Sequence, residues 1–379
     1  MKLRTVESVL DIPAAQWNAC ANPSGFNPFV AYEFFRALEE SGSATAKTGW
    51  KAEHLVTGNA KGVIEGVAPC YVKSHSQGEY VFDHGWAEAF HRAGGRYYPK
   101  LQTSVPFTPV TGPRLFSASP ETRNVLAKGL VALCSEMKTS SAHITFLPEE
   151  DWKGADKKQW LQRQDIQFHW QNQNYKSFDE FLGSLSSQKR KNIRKERQAV
   201  RNAGISFEWI TSKDLRESHW DAFFDFYMET GSRKWGLPYL TRKFFSLISA
   251  SMGKHVLLIF ARREGRIIAG ALNFIGSEAL YGRNWGAIEQ HDFLHFEACY
   301  YQAIEFAIQH KMKRVEAGAQ GQHKLARGYL PIKTYSLHHF AHPGLARAVG
   351  EYLAQERIAI DQDQVLLAEH SPFRQERDD

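Results

Sequence analysis

The sequence contains few cysteines and no long apolar run. Its four cysteines, Cys20, Cys70, Cys134 and Cys299, lie far apart and form no CxxC pair. This spacing argues against a disulfide framework or a structural zinc site and favours a reducing cytosol. No apolar stretch approaches the roughly 18 residues that a membrane-spanning helix needs, and the first residues lack the apolar region of a secretory signal. The sequence therefore predicts a cytoplasmic protein with no membrane span.

Several motifs of common catalytic sites are also missing. The sequence has no GxxxxGK[ST] phosphate loop, no GxGxxG after a predicted strand, no GxSxG and no HExxH. His338, His339 and His342 resemble metal ligands in composition, but neighbouring residues on a strand point to opposite faces. Packing or surface roles therefore suit these histidines better, and we predict no metal site.

The positive charge of the chain is concentrated in one short segment. The 379 residues are enough for two domains, and they carry a formal net charge of +6 from 47 basic and 41 acidic residues. The segment 189–201 holds seven basic residues and one acidic residue, which accounts for the whole excess. A basic segment in an otherwise neutral chain favours a local anionic partner over nonspecific coating of nucleic acid, and a solvated surface is the alternative.

The order of the predicted elements indicates a repeated α/β unit. The stretches Leu55 to Tyr71 and Leu258 to Phe274 each contain an apolar strand, a glycine turn and a second apolar strand. Each is later followed by a predicted amphipathic helix and another strand, which favours a duplicated supersecondary unit. The alternative is that hairpins and helices occur in any two α/β domains.

The prediction divides the chain into two domains, 1–150 and 151–379, the second of which includes a basic helical segment at 186–203. We predict that Ser74 to Gly112 is a long loop region with short strands, and that Pro148 to Asn174 is a connector. Three adjacent strands between His255 and Gly286 are predicted to form an antiparallel meander, because tight turns join them.

Arginines recur along the basic segment at helical spacing. Arg190, Arg194, Arg197 and Arg201 are separated by three or four residues and are expected on one face of a helix. Like charges at this spacing repel, whereas guanidinium groups pair well with phosphate or carboxylate oxygens. The pattern predicts an anion-binding face, with a solvated helix surface as the alternative.

A second candidate group lies on the third strand of the meander. Tyr281, Arg283 and Trp285 are expected on one face of this strand, and Asn284 on the other. Glycines flank the group, which indicates that another group approaches the backbone closely. An ordinary cross-strand stack of arginine on an aromatic ring is the alternative.

A third candidate group lies at the end of a later predicted strand. The segment 316–328 combines three glycines with Glu316, Gln320, Lys324 and Arg327. Loops at strand ends often carry function. The Glu316 carboxylate can accept a proton from an attacking amine, and the two cations can hold an anionic substrate. The alternative is a solvent-exposed loop.

Longer motifs across nearly the whole chain resemble those of the FemAB-like family of the GNAT superfamily. The matching stretches include Asn27-Pro-Phe29, Gly78-Glu-Tyr-Val-Phe-Asp83, Tyr97-Tyr-Pro-Lys-Leu101, Pro106-Phe-Thr-Pro-Val110, Lys191-Asn-Ile-Arg-Lys-Glu-Arg197, Leu294-His-Phe-Glu297, Gly318-Ala-Gln-Gly321 and Ala326-Arg-Gly328. The resemblance implies a bacterial protein of the α/β (α+β) class. It implies two tandem GNAT-like domains with mixed, mainly antiparallel sheets flanked by helices.

The resemblance also implies transfer of an acyl or aminoacyl group to an amine, on a peptidoglycan precursor or a related metabolite. The expected donor is aminoacyl-tRNA or acyl-CoA, with no tightly bound cofactor, and tRNA would bind through the basic helix. In this interpretation Glu316 is the general base and Tyr281 the general acid. The expected binding residues are Arg190, Arg194, Arg283, Asn284, Trp285, Gln320, Lys324 and Arg327. The alternative is a non-catalytic protein that binds a muropeptide or a nucleotide-linked ligand.

Overall fold

The computed structural model describes residues 2–234, 238–318 and 321–374, and these divide into two compact units. The first holds the described residues up to Ile166 together with Lys333–Gln362. The second holds Gln167–Ile332 and the described residues from Asp363 onward. This division differs from the linear boundary predicted at residue 150, because a late strand and the start of the last helix belong to the first unit.

The first unit contains seven complete strands and five helices among its described residues. The strands are β1 (Lys2–Val6), β2 (Trp50–Ala52), β3 (His54–Gly58), β4 (Ile64–Ala68), β5 (Cys70–Lys73), β6 (Lys100–Thr103) and β7 (Ser141–Leu147). The helices are α1 (Ala14–Ala21), α2 (Tyr32–Glu40), α3 (His84–Arg92), α4 (Pro120–Glu136) and α5 (Glu149–Gly154). Two further strands lie partly in this unit. The first residues of β8 (Leu161–Gln171) and the last residues of β14 (Tyr329–Phe340) belong to it.

Two sheets organise the first unit. Strand β3 pairs with β1 and β4 in an antiparallel sheet. Strands β2, β5 and β6 pair antiparallel, β6 is parallel to β7, and β7 is antiparallel to β14. Leu126 and Leu130 of α4 are buried in a core with Leu101 and Ile144 of the second sheet. Helix α4 thus covers one face of the parallel pair β6–β7.

The second unit is built around a larger antiparallel run. After β8 come α6 (Phe178–Ser184), α7 (Ser187–Asn202), β9 (Ile205–Thr211), α8 (Glu217–Lys234), α9 (Arg242–Met252), β10 (Val256–Arg263), β11 (Arg266–Ile275) and β12 (Ala279–Ala287). Then follow α10 (Leu294–Phe296), a π-helical turn (Glu297–Tyr301), α11 (Gln302–Gln309) and β13 (Arg314–Glu316), and the last helix, α12 (Pro343–Glu369), begins in the first unit.

Strand pairing in the second unit confirms the predicted meander. Strands β9 to β12 pair antiparallel in sequence order, β12 is parallel to β13, and β13 is antiparallel to β8. The residues of β10 from Val256 to Ala261 are fully buried, as expected of a central strand covered on both faces. The basic helix α7 buries Ile193 and Val200, which lie seven residues apart on one face.

Three predicted segments differ from the structure. The second apolar strand predicted within Leu55 to Tyr71 is in fact two strands, β4 and β5, which pair with different partners on either side of Pro69. Proline has no N–H to donate to a sheet, so it ends one ladder. The predicted loop region contains α3, and the predicted connector contains α5 and all of β8. Within the described residues, no helix is both long and apolar enough to cross a membrane.

Candidate functional site

The candidate site begins where strands β12 and β13 separate. These parallel strands pair over only three residues each, and the last pair is Tyr281 with Glu316. Strand β13 ends at this pair, whereas β12 continues to Ala287. The two predicted catalytic residues are therefore neighbours, side by side at the point where the sheet opens.

A bulge in β12 follows directly. Leu272 pairs with Asn284 and Asn273 pairs with Gly282, so Arg283 is the extra residue of the bulge. A bulge changes the direction of the side chains around it. Arg283 is partly buried, and its charge helps to lower the pKa of Lys324. Arg283 in the bulge is therefore near Lys324 of the later loop, and both are predicted binding residues.

The Glu316 carboxylate is buried, and only one of its two oxygens accepts a hydrogen bond from a described residue. Glu316 is 3 % exposed, and its Oε1 accepts a hydrogen bond from Arg314 Nε at 2.9 Å. Its Oε2 has no hydrogen-bond partner among the described residues; His169 Nε2 lies 3.8 Å away. Burial lowers the pKa of His169, which the Glu316 charge partly opposes. A buried acceptor oxygen without a donor is unfavourable for folding.

The Tyr281 hydroxyl remains protonated at neutral pH. Burial raises its pKa well above the ordinary value, the charge of Glu316 raises it further, and Arg314 opposes both effects. Tyr281 can therefore act as a hydrogen-bond and proton donor beside an acceptor carboxylate. The pair has the complementary protonation states that general acid–base chemistry requires.

Lys324 is a buried cation at the end of the following loop. It lies in the short 3₁₀ turn Gln322–Arg327 and is 2 % exposed, and its Nζ donates to the carbonyl oxygen of Gly318 at 2.9 Å. Burial lowers its pKa to about 8, with a further contribution from Arg283. Lys324 also helps to lower the pKa of His169, so it is near both the bulge and the Glu316 cluster.

The π-helical turn Glu297–Tyr301 supplies groups that sequence reasoning missed. Tyr300 OH lies 2.9 Å from His323 Nε2, and the Cys299 thiol is close enough to affect the pKa of Lys324. Single π-helical turns within α-helices are frequent at functional sites. A π turn has no recognisable sequence signal here, because the segment reads as one amphipathic helix.

Two other site residues were also missed. Arg314 lies two residues before Glu316 on the same strand, so strand alternation alone could have shown that the two share a face. His169 lies in β8, within the segment predicted as a connector, and no sequence signal indicated its position.

Arg327, from the predicted binding set, and Arg197, from the predicted arginine face of the basic helix, both pair with acidic residues of the protein. Arg327 donates to Glu196 at 2.9 Å and lies 3.5 Å from the ring centroid of Phe296. Arg197 lies 2.9 Å from Glu297 and 2.8 Å from Glu305. The four arginines of α7 therefore do not form one free face, because Arg197 holds the helix to its own unit.

The remaining arginines of α7 are more accessible. Arg194 is 60 % exposed and lies 3.6 Å from Asp179. The side chain of Arg190 is partly buried and forms no ion pair or hydrogen bond with a described residue. Beside them, a groove of about 660 Å³ is lined by Arg194, Arg197 and Arg201 together with the acidic Asp179 and Glu305.

The other predicted binding residues occupy different places. Trp285 lines a cavity of about 530 Å³ with Glu289 and His291, and its ring meets that of His295 edge-on at 5.4 Å. Asn284 pairs with Leu272 in the sheet and is partly buried. Gln320 lies outside the described residues.

The chain matches one protein-family model and is similar in fold to several solved structures. A family model described as peptidoglycan biosynthesis/recognition, FemAB-like, matches residues 8–375. A crystal structure of FemX superposes with a TM-score of 0.53 at 12 % identity, covering 92 % of this chain and 100 % of that one. L-PGS from Bacillus licheniformis gives 0.51 at 9 % identity, covering 86 % and 97 %. A comparison with curated proteins found no match.

A third solved structure agrees with these two. The C-terminal domain of a putative lysylphosphatidylglycerol synthetase from Agrobacterium fabrum gives a TM-score of 0.50 at 8 % identity, covering 90 % of this chain and 95 % of that one. At such identities the likeness concerns the fold alone. The predicted α/β fold class, with mixed, mainly antiparallel sheets flanked by helices, is confirmed.

Proposed function

Because the chain belongs to the FemAB-like family of peptidoglycan biosynthesis and recognition proteins, we propose that it transfers an acyl or aminoacyl group to an amine acceptor. The acceptor we propose is a peptidoglycan precursor peptide or a related amine metabolite. One observation supports the proposal most strongly: Glu316 Oε2 is buried with no hydrogen-bond partner among the described residues, and Glu316 pairs with the protonated Tyr281 where the strands separate.

In the proposed reaction, Glu316 accepts a proton from the attacking amine, directly or through one water. The amine nitrogen forms a bond to the carbonyl carbon of the donor while the bond to the leaving oxygen or sulfur breaks. Tyr281 donates its proton to the leaving group, and the proton held by Glu316 then restores the phenol. Arg314 keeps the carboxylate oriented through its hydrogen bond to Oε1.

The protonation of Tyr281 favours an ester donor over a thioester donor. A phenol whose pKa is raised by burial is a weak acid, and it is matched to a strongly basic leaving group. An alkoxide leaving from an aminoacyl ester needs such a proton, whereas a thiolate of pKa about 8.5 leaves without one. We therefore propose aminoacyl-tRNA as the first donor to test and acyl-CoA as the second.

The proposed binding roles follow from charge and position. Arg283 and Lys324 hold a phosphate or carboxylate of a substrate, because the Arg283 charge is close enough to lower the pKa of Lys324 and Arg283 lies two residues after Tyr281 on β12. Arg190 and Arg194 of α7 contact the phosphates of a tRNA donor. Trp285 and Asn284 shape the acceptor pocket, with Trp285 lining the 530 Å³ cavity. Arg327 has a positioning role, since its guanidinium is held by Glu196.

The experiment is a transfer assay read by mass spectrometry. The full chain is incubated with a peptidoglycan precursor peptide bearing a free amine, and with either charged tRNA or acetyl-CoA. A new amide with one donor supports the proposal and identifies the donor class. Saturable binding of the peptide without any new amide would support the non-catalytic alternative. With tRNA, affinity is expected to fall steeply as salt rises.

A further inference from the structure

A small cavity lies in the first unit, at the edge of the sheet where β6 and β7 begin. It has a volume of about 200 Å³. Its lining comes from four stretches of chain: the end of α3, the residues before β6, the residues before β7, and the residues after β14. The polar and aromatic lining side chains are Phe90, Arg96, Tyr98, Lys138, Ser140 and His342. The candidate transfer site belongs to the other unit, so the function of this cavity is a separate question.

The lining of this cavity is cationic. Arg96 and Lys138 are exposed, and their side chains form no ion pair or hydrogen bond with any residue that the structure describes. No aspartate or glutamate is found among the described lining residues. Lys138 adopts a φ of 54°, in the left-handed region where a side chain costs roughly 1 kcal/mol. The sequence thus places a lysine where glycine would be less strained.

His342 presents a hydrogen-bond donor beside these cations. Its Nδ1 accepts a hydrogen bond from the backbone N–H of Leu345 at 3.3 Å. A neutral imidazole carries one proton, so the Leu345 contact places that proton on Nε2. The ring of His342 lies 5.4 Å from that of Phe90, which limits its orientation. Nε2–H is therefore available as a donor even without protonation of the ring.

A long helix begins next to the cavity. Helix α12 starts at Pro343, directly after the lining residue His342, and extends for 27 residues without an acidic residue in its first turn. The amino-terminal end of a helix carries partial positive charge from its unpaired N–H groups and is stabilised by an anion. Pro343 has no N–H, and the N–H groups of Leu345 and Ala346 are paired with His342, so the helix contributes its partial positive charge rather than a row of free donors.

We propose that this cavity binds a small anion that presents one phosphate or carboxylate group, held by Arg96, Lys138 and the Nε2–H of His342. The two long cationic side chains supply charge, the imidazole supplies a directed hydrogen bond, and the helix end adds to the positive potential. A volume of about 200 Å³ suits a single anionic group with a few further atoms. It is below the range of roughly 300–1,000 Å³ typical of larger ligands.

The test is a calorimetric titration of the full chain with inorganic phosphate and, separately, with acetate, at constant ionic strength set by potassium chloride. We expect saturable binding of at least one anion, and the anion that binds identifies the group. In the double variant Arg96→Gln/Lys138→Gln we expect the affinity to fall at least tenfold. The matched control is Arg4→Gln/Lys157→Gln, which removes one exposed arginine and one exposed lysine elsewhere in the same unit and should bind as the unaltered protein does.

Two results would overturn the proposal: no saturable binding of either anion, or equal affinity in the double variant and its control. The thermal unfolding midpoint without ligand shows whether the double variant is folded, and Arg96→Gln alone is the second variant if it is not. The titration involves no donor or acceptor of the transfer reaction. A negative titration would therefore leave the proposed function unaffected, and a negative transfer assay would leave the anion-binding proposal unaffected.

Discussion

Individual residues of this chain show two ways to bury a charge. Lys100, on β6, is 1 % exposed and lies 2.5 Å from Asp83 and 3.6 Å from Glu79, so its charge is balanced locally. Among the described residues, one oxygen of Glu316 has no hydrogen-bond donor, and the Nζ of Lys324 donates to a carbonyl oxygen rather than to a carboxylate. Buried charges that are incompletely satisfied in this way destabilise a fold and are typical of sites that await a ligand.

We expect the buried charge of Lys324 to lower the free energy of unfolding of the protein. Its folded-state pKa is about 8, below the ordinary lysine value of about 10.4, so between these values the unfolded chain binds more protons and stability rises with pH. We expect Lys324→Met to be more stable than the unaltered protein by about 1–2 kcal/mol at pH 7. This advantage should shrink between pH 8 and 10.

Urea unfolding at pH 7, 8.5 and 10 measures this effect. The matched control is Lys254→Met, which removes an exposed lysine and should give no stabilisation at any of the three values. A loss of stability in Lys324→Met at pH 7 would show that the hydrogen bond to Gly318 outweighs the burial of the charge.

Asp83 should behave in the opposite sense. Burial alone would raise its pKa, but the charge of Lys100 outweighs burial and holds the pKa well below the ordinary value. Its contribution to stability is thus complete above about pH 4 and is lost as the pH falls toward the depressed folded-state value. We expect Asp83→Asn to cost about 3–5 kcal/mol at pH 7, because Lys100 keeps its charge without its nearest partner.

The measurement is urea unfolding of Asp83→Asn at pH 7 and pH 3, in which the difference from the unaltered protein should be smaller at pH 3. Glu88→Gln, which breaks the exposed pair with Arg92, is the control and should change little. An equal loss in both variants at pH 7 would contradict the assignment of Lys100 and Asp83 as a stabilising pair.

At the scale of elements, strand β12 determines the geometry of the candidate site. The first residues of β12 pair with β13, and its bulge at Arg283 shifts its register against β11. The end of β12 packs closely against α8. The close packing depends on Gly286, where a Cβ atom would lie 2.1 Å from the carbonyl oxygen of Phe226. A backbone oxygen cannot move away as a flexible side chain can, so the position of α8 on the sheet requires glycine.

We therefore expect Gly286→Ala to destabilise the second unit by about 2–3 kcal/mol, because the helix must shift to admit the methyl group. Gly183→Ala is the control: Gly183 lies in helix α6, and an added Cβ would meet nothing within 4 Å. Alanine is a better helix former than glycine, so the control should gain roughly 0.5–1 kcal/mol. Thermal unfolding of both variants measures the contrast, and similar midpoints would refute the close approach of α8.

The scale of the whole molecule shows what the sequence could predict. The meander β10–β12 was predicted correctly because apolar strands alternate with glycine turns, which are local signals. Helix α3 and strand β8 were missed because each is stabilised by contacts distant in sequence. Arg163 of β8, for example, lies 2.8 Å from Glu356 of α12 and 4.9 Å from the ring centroid of Trp86 in α3. Such pairings leave no pattern within a short window of sequence.

The candidate site was predictable to a similar degree. Residue types and strand positions indicated Glu316, Tyr281 and Lys324; the structure pairs Tyr281 with Glu316 and places Lys324 close enough to His169 to lower its pKa. The sequence did not show that Arg327 would pair with Glu196 and Arg197 with Glu297. The two partners of each pair lie about 100 or more residues apart in the chain. The duplicated order of elements was visible, but the return of β14 and α12 to the first unit was not.

The most direct measurement is the rate of amide formation by Glu316→Gln in the transfer assay, compared with the unaltered protein and with Glu264→Gln. The glutamine keeps the size of the side chain and its contact with Arg314, whereas Glu264 is an exposed residue of the β10–β11 turn. We predict that Glu316→Gln loses at least about 100-fold in rate, while Glu264→Gln retains full activity. Transfer by Glu316→Gln at the unaltered rate would contradict the assignment of Glu316 as the general base.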